Sequence, residues 1–175
     1  IKDLIALAKA KPGALNYASS GAGGSLHLSG ELFKTMAGVN IVHVPFKGSG
    51  PAVTSLLSGE VQLMFATGAS VMTHVKAGKL TALAIASAEP TLLAPGLPTV
   101  AASGLPGYES ASVLGFFVPA KTPMTIVNRL NQEMVRFLSV PVTKEKLFST
   151  GVEVVASTPQ QFAIFLKAEM SRMRQ

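Results

Sequence analysis

The stretch Asn16-Tyr17-Ala18-Ser19-Ser20-Gly21-Ala22-Gly23-Gly24-Ser25-Leu26-His27 lies between a short apolar strand, Leu15 to Ser19, and an amphipathic helical pattern, Leu26–Ala37. A glycine- and serine-rich turn in that position predicts backbone N–H groups left without partners at the positive end of a helix. Such a place suits a carboxylate or a phosphate. The turn is not a dinucleotide fingerprint: Leu26 stands where the third glycine belongs, and no acidic residue follows at the end of the next strand. No Gly-Lys-Ser/Thr follows either, so it is not a Walker loop.

The pattern on either side gives the fold class. Ile41 to Phe46, Val61 to Ala66 and Leu80 to Ala86 read as further strands, with helical stretches near Pro51–Ser58 and Ala69–Lys76. The strands are apolar throughout rather than alternating, which suits a parallel sheet covered on both faces. Gly38, Gly59 and Gly78 each follow a helical stretch, where a left-handed C-cap is expected. A βαβ series and an α/β fold follow. Ahead of it, Ile1 to Lys9 carries a helical pattern of its own.

The regularity breaks between Glu89 and Ser110, where Pro90, Pro95, Pro98 and Pro106 mark an irregular connection with a short helix near Thr99–Ser103. Then comes the apolar run Val113-Leu114-Gly115-Phe116-Phe117-Val118, read as a strand for the centre of a sheet. Strand neighbours for it are missing from this stretch of sequence, so pairing or swapping between chains, or another part of the protein, is expected to cover it. Thr122-Pro123 opens a long helix with the face Ile126, Val127, Leu130, Met134 and Leu138. A helix near Thr143–Ser149, a short strand Val152–Val155 and a last helix opening at Thr158 complete the series, with Gln161 placed to close a capping box. The opening on a helical pattern and the end at Ser171 to Gln175 without a stop signal suggest that both ends are cut.

Composition narrows the function classes. The chain has 175 residues, 48% hydrophobic and 14% charged, with a net charge of +6 and no cysteine. Disulfides, thiolate catalysis and cysteine-ligated metals are thereby excluded. The basic excess is not clustered or interleaved with aromatics, so nucleic acid is not an expected partner. No apolar stretch is long enough to span a membrane.

Two further strand ends join the turn. Pro45-Phe46-Lys47-Gly48 ends the second strand, where Lys47 adds charge and Phe46 is placed to cover a ligand's carbon skeleton. Phe65-Ala66-Thr67-Gly68 ends the third, and Thr67 offers either a hydroxyl or a helix N-cap. In a parallel sheet all three ends share one edge, where ligands gather. His27, His43 and His74 read as scattered, with Glu31 one turn beyond His27 the only acidic partner at metal-ligand spacing. No nucleophile elbow and no acid pair is visible, so catalysis has no positive support. No cofactor or metal is expected. Two alternatives remain: an α/β enzyme using the turn as an oxyanion or phosphate site with His27 as base, and a carboxylate sensor for a signalling system.

The order of segments resembles one family. Leu15-Asn16-Tyr17-Ala18-Ser19-Ser20-Gly21, His27-Leu28-Ser29-Gly30-Glu31-Leu32-Phe33-Lys34 and Val42-His43-Val44-Pro45-Phe46-Lys47-Gly48 carry the likeness. So do Gly59-Glu60-Val61-Gln62-Leu63-Met64-Phe65, Lys76-Ala77-Gly78-Lys79-Leu80, Pro98-Thr99-Val100-Ala101 and Gly104-Leu105-Pro106-Gly107-Tyr108. The family is the substrate-binding proteins of tripartite tricarboxylate transporters, also called Bug receptors, and the likeness runs the length of the chain. It implies a periplasmic, non-enzymatic receptor with a type II periplasmic-binding-protein-like fold and a carboxylate-bearing solute held between two α/β domains. Family members are longer and carry an export signal. Residues 1–112 then correspond to the second domain and 113–175 to the C-terminal part of the first, whose N-terminal part would supply the other cleft wall. The implied ligand-binding set is Ser19, Ser20, Gly21, Gly23, Gly24, Ser25 and His27 from the turn, Pro45, Phe46, Lys47 and Gly48 from the adjacent loop, and Ala66 and Thr67. Where many relatives carry an aspartate after Met64-Phe65, this chain has Ala66-Thr67, which leans toward a plain carboxylic acid over an amino acid. Membrane transporter subunits are the implied partners.

Overall fold

The computed structural model describes residues 1–110 and 112–172. Met173 to Gln175, part of the expected cut end, lie outside the described residues. The chain divides into two compact units after Val113.

In the first unit, helix α1 (Lys2–Ala10) precedes strand β1 (Asn16–Ser19), helix α2 (Ser25–Ala37), strand β2 (Val42–Pro45), helix α3 (Ser49–Ser58), strand β3 (Leu63–Met64) and helix α4 (Gly68–Lys76). The strands form a parallel sheet in the order β2-β1-β3, with Tyr17 opposite His43 on one side and Leu63 on the other. This is the expected βαβ series. Gly38 and Gly59 cap α2 and α3 in the left-handed region (φ 61° and 79°), and Gly78 follows α4 at φ 68°.

Alternation along β1 sends Tyr17 and Ser19 to one face and Ala18 to the other. On the first face Tyr17 packs with Phe33, Ala37, Ile41, Val100, Leu105 and Tyr108, and with Ile1, Leu4 and Ile5 beside Ala8. Helix α2 lies so close that a Cβ added at Gly30 would overlap the Tyr17 ring. On the other face Ala18, Ala52 and Val61 are buried against Val44, Phe46, Leu56 and Met64. Covering both faces is what lets these strands be apolar throughout.

Beyond α4 the expected strand Leu80–Ala86 does not form. A single bridge joins Ile85 to Thr99, made by Ile85 N–H to Pro98 O and Val100 N–H to Ile85 O, each 2.9 Å. The facing segment has proline at 98, which lacks a donor and stops the ladder from growing. Thr99–Ser103 is a hydrogen-bonded turn rather than a helix; Thr99 Oγ1 accepts from Ala102 N–H at 3.0 Å.

The second unit is helical: α5 (Met124–Leu138), α6 (Pro141–Ser149) and α7 (Pro159–Arg172). Helix α5 starts one residue later than expected, with Pro123 as N-cap, and α6 starts two residues earlier, on Pro141. The capping box forms as read: Thr158 N–H donates to Gln161 Oε1 at 2.9 Å, and Gln161 N–H donates to Thr158 Oγ1 at 3.2 Å. Neither Val113–Val118 nor Val152–Val155 is a strand, because none of the described residues pairs with them. The run expected at the centre of a sheet is instead exposed, with Leu114 at 84% and Phe116 at 75%. Within it, Phe162 lies over Gly115 and its ring meets Phe117 with centroids 5.5 Å apart. No described helix is long and apolar enough to cross a membrane.

Candidate functional site at the carboxyl edge of the sheet

Because the three strands are parallel, their carboxyl ends open on one edge. There the turn 20–24 and the loop after β2 are tied together. Phe46 N–H donates to Ser19 O at 3.0 Å, and Gly48 N–H donates to Ser20 O at 3.2 Å. The segment Ala66-Thr67 emerges from β3 on the other side of β1.

The turn itself is divided in two. Its inner part is satisfied by the protein: Gly21 N–H donates to Ser19 Oγ at 3.2 Å, and Gly23 N–H donates to His27 Nδ1 at 3.0 Å. Its outer part is open. Gly24 is the N-cap of α2 in extended backbone, and its side-chain-free position leaves the helix without a side-chain cap. Among the described residues no acceptor meets the N–H groups of Gly24, Ser25, Leu26 or His27; the first helical bond to the turn is Leu28 N–H to Gly24 O at 3.0 Å. These are the orphan donors of a 13-residue helix.

Several of the residues expected to meet a ligand already have partners within the protein. Ser19 is fully buried, and its hydroxyl is occupied by Gly21 N–H, by Gly21 O at 3.0 Å and by His43 Nε2 at 2.7 Å. It therefore shapes the turn and has no capacity left for a ligand. Phe46 is half-buried against the Ala18, Ala52 and Val61 cluster, so it anchors its loop from the α3 side instead of standing free over the edge. Thr67 is the N-cap residue of α4, but its hydroxyl bonds to Ser70 Oγ at 3.2 Å and to no backbone amide. Ser25, exposed, pairs its hydroxyl with Ser112 at 3.1 Å. Ser20 and Gly48 are half-buried at the edge, Ala66 is half-buried, and Pro45 and Lys47 are exposed.

Two of the three histidines are not scattered but paired. His27 and His43 stack with ring centroids 4.0 Å apart, and His43 stacks on Tyr17 at 4.9 Å; His74 lies apart from them on α4. Tyr17 Oη donates to Glu31 Oε1 at 2.7 Å, and Lys34 Nζ reaches both Glu31 oxygens at 2.8 and 2.9 Å. Burial alone would raise the Glu31 carboxyl, but the Lys34 and Tyr17 hydrogen bonds hold it below its ordinary value. Tyr17 is pushed up, first by burial and then by its Glu31 partner. His43 is pushed down from its ordinary 6.5, first by burial and then by the neighbouring His27. A signal for this cluster was present: His43 alternates with Val42 and Val44, so it shares the α2 face, and His27 sits in the first turn of α2. Among the described residues no group of three His, Asp or Glu is arranged to hold a metal.

In open parallel α/β sheets ligands gather outside the carboxyl ends of the strands, where this free helix N-terminus lies. The chain belongs to the tripartite tricarboxylate transporter family receptors, whose family model matches residues 1–175. It is 35% identical over 173 residues to the "UPF0065 protein in tcbD-tcbE intergenic region" of Pseudomonas sp. strain P51, covering 98% of this chain and 52% of that protein. Among solved structures it is similar to "R. palustris Rpa4515 with adipate", at 37% identity and a TM-score of 0.92 over 99% of this chain and 58% of that one. It is also similar to "MatC (Rpa3494) from Rhodopseudomonas palustris with bound malate", at 27% identity and a TM-score of 0.81 over 98% of this chain and 60% of that one. The fold is thus periplasmic-binding-protein-like, and the chain spans a little over half the length of these relatives. The family is one of receptors, not enzymes.

Proposed function

We propose that this chain forms one wall of a periplasmic receptor that captures a small organic carboxylate and delivers it to a tripartite tricarboxylate-type membrane transporter. The observation that carries the reading is the set of unpartnered amides at Gly24, Ser25 and Leu26, beside a lysine-bearing loop on the same sheet edge. A carboxylate accepts hydrogen bonds from such donors, and charge-assisted bonds of this kind are about twice as strong as neutral ones. Ser20, Gly48, Lys47, Ala66 and Thr67 lie on the same edge and complete this wall. Relatives solved with adipate and with malate support a di-acid over an amino acid.

In this reading residues 1–112 are the second domain of a two-domain receptor and residues 113–175 the C-terminal part of the first. The remainder of the first domain supplies the opposing wall, and closure of the two around the solute signals occupancy to the transporter. Calorimetry on the complete gene product tests it with adipate, malate, citrate, benzoate and an uncharged sugar. Saturable binding of at least one carboxylate and none of the sugar is expected; the reverse overturns the reading.

A further inference from the structure

We propose that His27 and His43 are positioning residues that hold the glycine turn in its binding shape, and that ligand capture weakens when His27 takes up a proton at Nδ1. This rests on the carboxylate-receptor reading above.

The turn depends on two side-chain bonds. Gly21 and Gly23 have φ of 146° and 79°, conformations that the short turn does not enforce by itself. Gly21 is fastened through Ser19 Oγ, which His43 Nε2 meets at 2.7 Å. Gly23 is fastened by donating to His27 Nδ1 at 3.0 Å. That second bond fixes a tautomer: Nδ1 must be bare, so the single proton of neutral His27 sits on Nε2. A second proton can enter only at Nδ1, where it removes the acceptor that Gly23 uses.

Charged and titratable groups face His27 from three elements. From β2, the His43 ring lies 4.0 Å away and would face a cation. From α2, Glu31 Oε1 lies 3.8 Å from His27 Nε2, but its charge is shared with Lys34 at 2.8 Å. From β1, Tyr17 and Ser19 are neutral, and Tyr17 already donates to Glu31. The orphan amides of α2 add positive potential on the remaining side. His43 itself is held below its ordinary value, first by burial and then by the neighbouring His27. The sign is that of a base disfavoured in the folded state: the stabilisation is fully present above 6.5 and is lost as pH falls through the lower folded value.

Two effects of a proton on His27 therefore oppose each other at the ligand. A cation near the turn would attract a carboxylate, whereas loss of the Gly23 bond frees the α2 end of the turn, the other end staying tied through Gly21 N–H to Ser19 Oγ and Gly48 N–H to Ser20 O. The structure favours the second, since the lost bond is internal to the turn. The ligand-free complete protein gives the first test, by nitrogen-15 spectra of the imidazoles and of the Gly23 amide as pH is varied. His27 with its proton on Nε2, and a Gly23 amide that titrates with His27, are expected. An Nδ1–H tautomer, or a Gly23 amide indifferent to His27, overturns the proposal.

Adipate titrations at about pH 8 and about pH 5.5, either side of the ordinary histidine range, give the second. Affinity is expected to fall about tenfold on acidification, the factor for loss of one hydrogen bond. His27→Asn places a non-titrating oxygen near Nδ1 and is expected to lose the pH dependence, binding adipate equally at the two pH values whatever the level. His27→Leu is expected to weaken binding about tenfold at both values. Affinity that rises on acidification, or an Asn variant with the full pH dependence, overturns the proposal. Absence of all carboxylate binding would instead sink the receptor reading, and the ligand-free titration would still decide the role of the pair.

Discussion

In residues 1–113 a core of apolar side chains is buried, and in residues 114–172 none of the described side chains is. Every fully buried side chain among the described residues lies in the first unit, from Ala8 to Tyr108. The helices α5 and α6 bury no residue at all, and Ile126, Leu130, Phe137 and Ile164 stand exposed on α5 and α7. Yet Val113 to Val118 is as apolar as β1 or β2. The difference teaches that hydrophobic pattern states what has to be covered, not what covers it. In the first unit the cover comes from α2 and α3, which pack on β1, and from Val100, Leu105 and Tyr108 farther along the chain.

The comparison can be attacked by mutation. Phe33→Ala, at the heart of the first unit, is expected to cost about 3–5 kcal/mol in urea unfolding, as for other large-to-small core changes. A loss below about 1 kcal/mol would mean that this core is not the source of stability. Thr158→Ala removes the capping box of the second unit and is expected to cost about 1 kcal/mol, read as lost helicity by circular dichroism. The smallest effect is expected at Phe116→Ser. At 75% exposure it should change the stability of the chain by itself by no more than about 0.5 kcal/mol, while reducing self-association in sedimentation. A cost of several kcal/mol at Phe116 would show that the segment is covered in solution, by a second copy where sedimentation also shows self-association.

The candidate site was legible in part, and for a clear reason. Glycines and serines between an apolar strand and a helix announce loose amides, and the parallel order then fixes that three strand ends share an edge. What the turn's residues do individually was not legible. Ser19 looked like a ligand group because serine hydroxyls bind anions, but alternation along β1 points it inward, where His43 takes it. Phe46 looked free for a solute because it ends a strand, but the α3 face claims it. The stack of His27 on His43 depended on a contact between residues 16 positions apart in sequence, which only the pairing of β1 with β2 and the closeness of α2 create.

The sequence by itself determined the α/β class, the order of helices and strands from α1 to α4, the glycine caps and the capping box at Thr158, because each rests on local propensity or short-range periodicity. The tertiary structure alone decided which amides stay open, which serine is consumed, and that Leu80–Ala86 makes one bridge instead of a strand. Those outcomes depend on partners distant in the chain, and hydrogen-bond capacity used by such a partner is no longer available to a ligand.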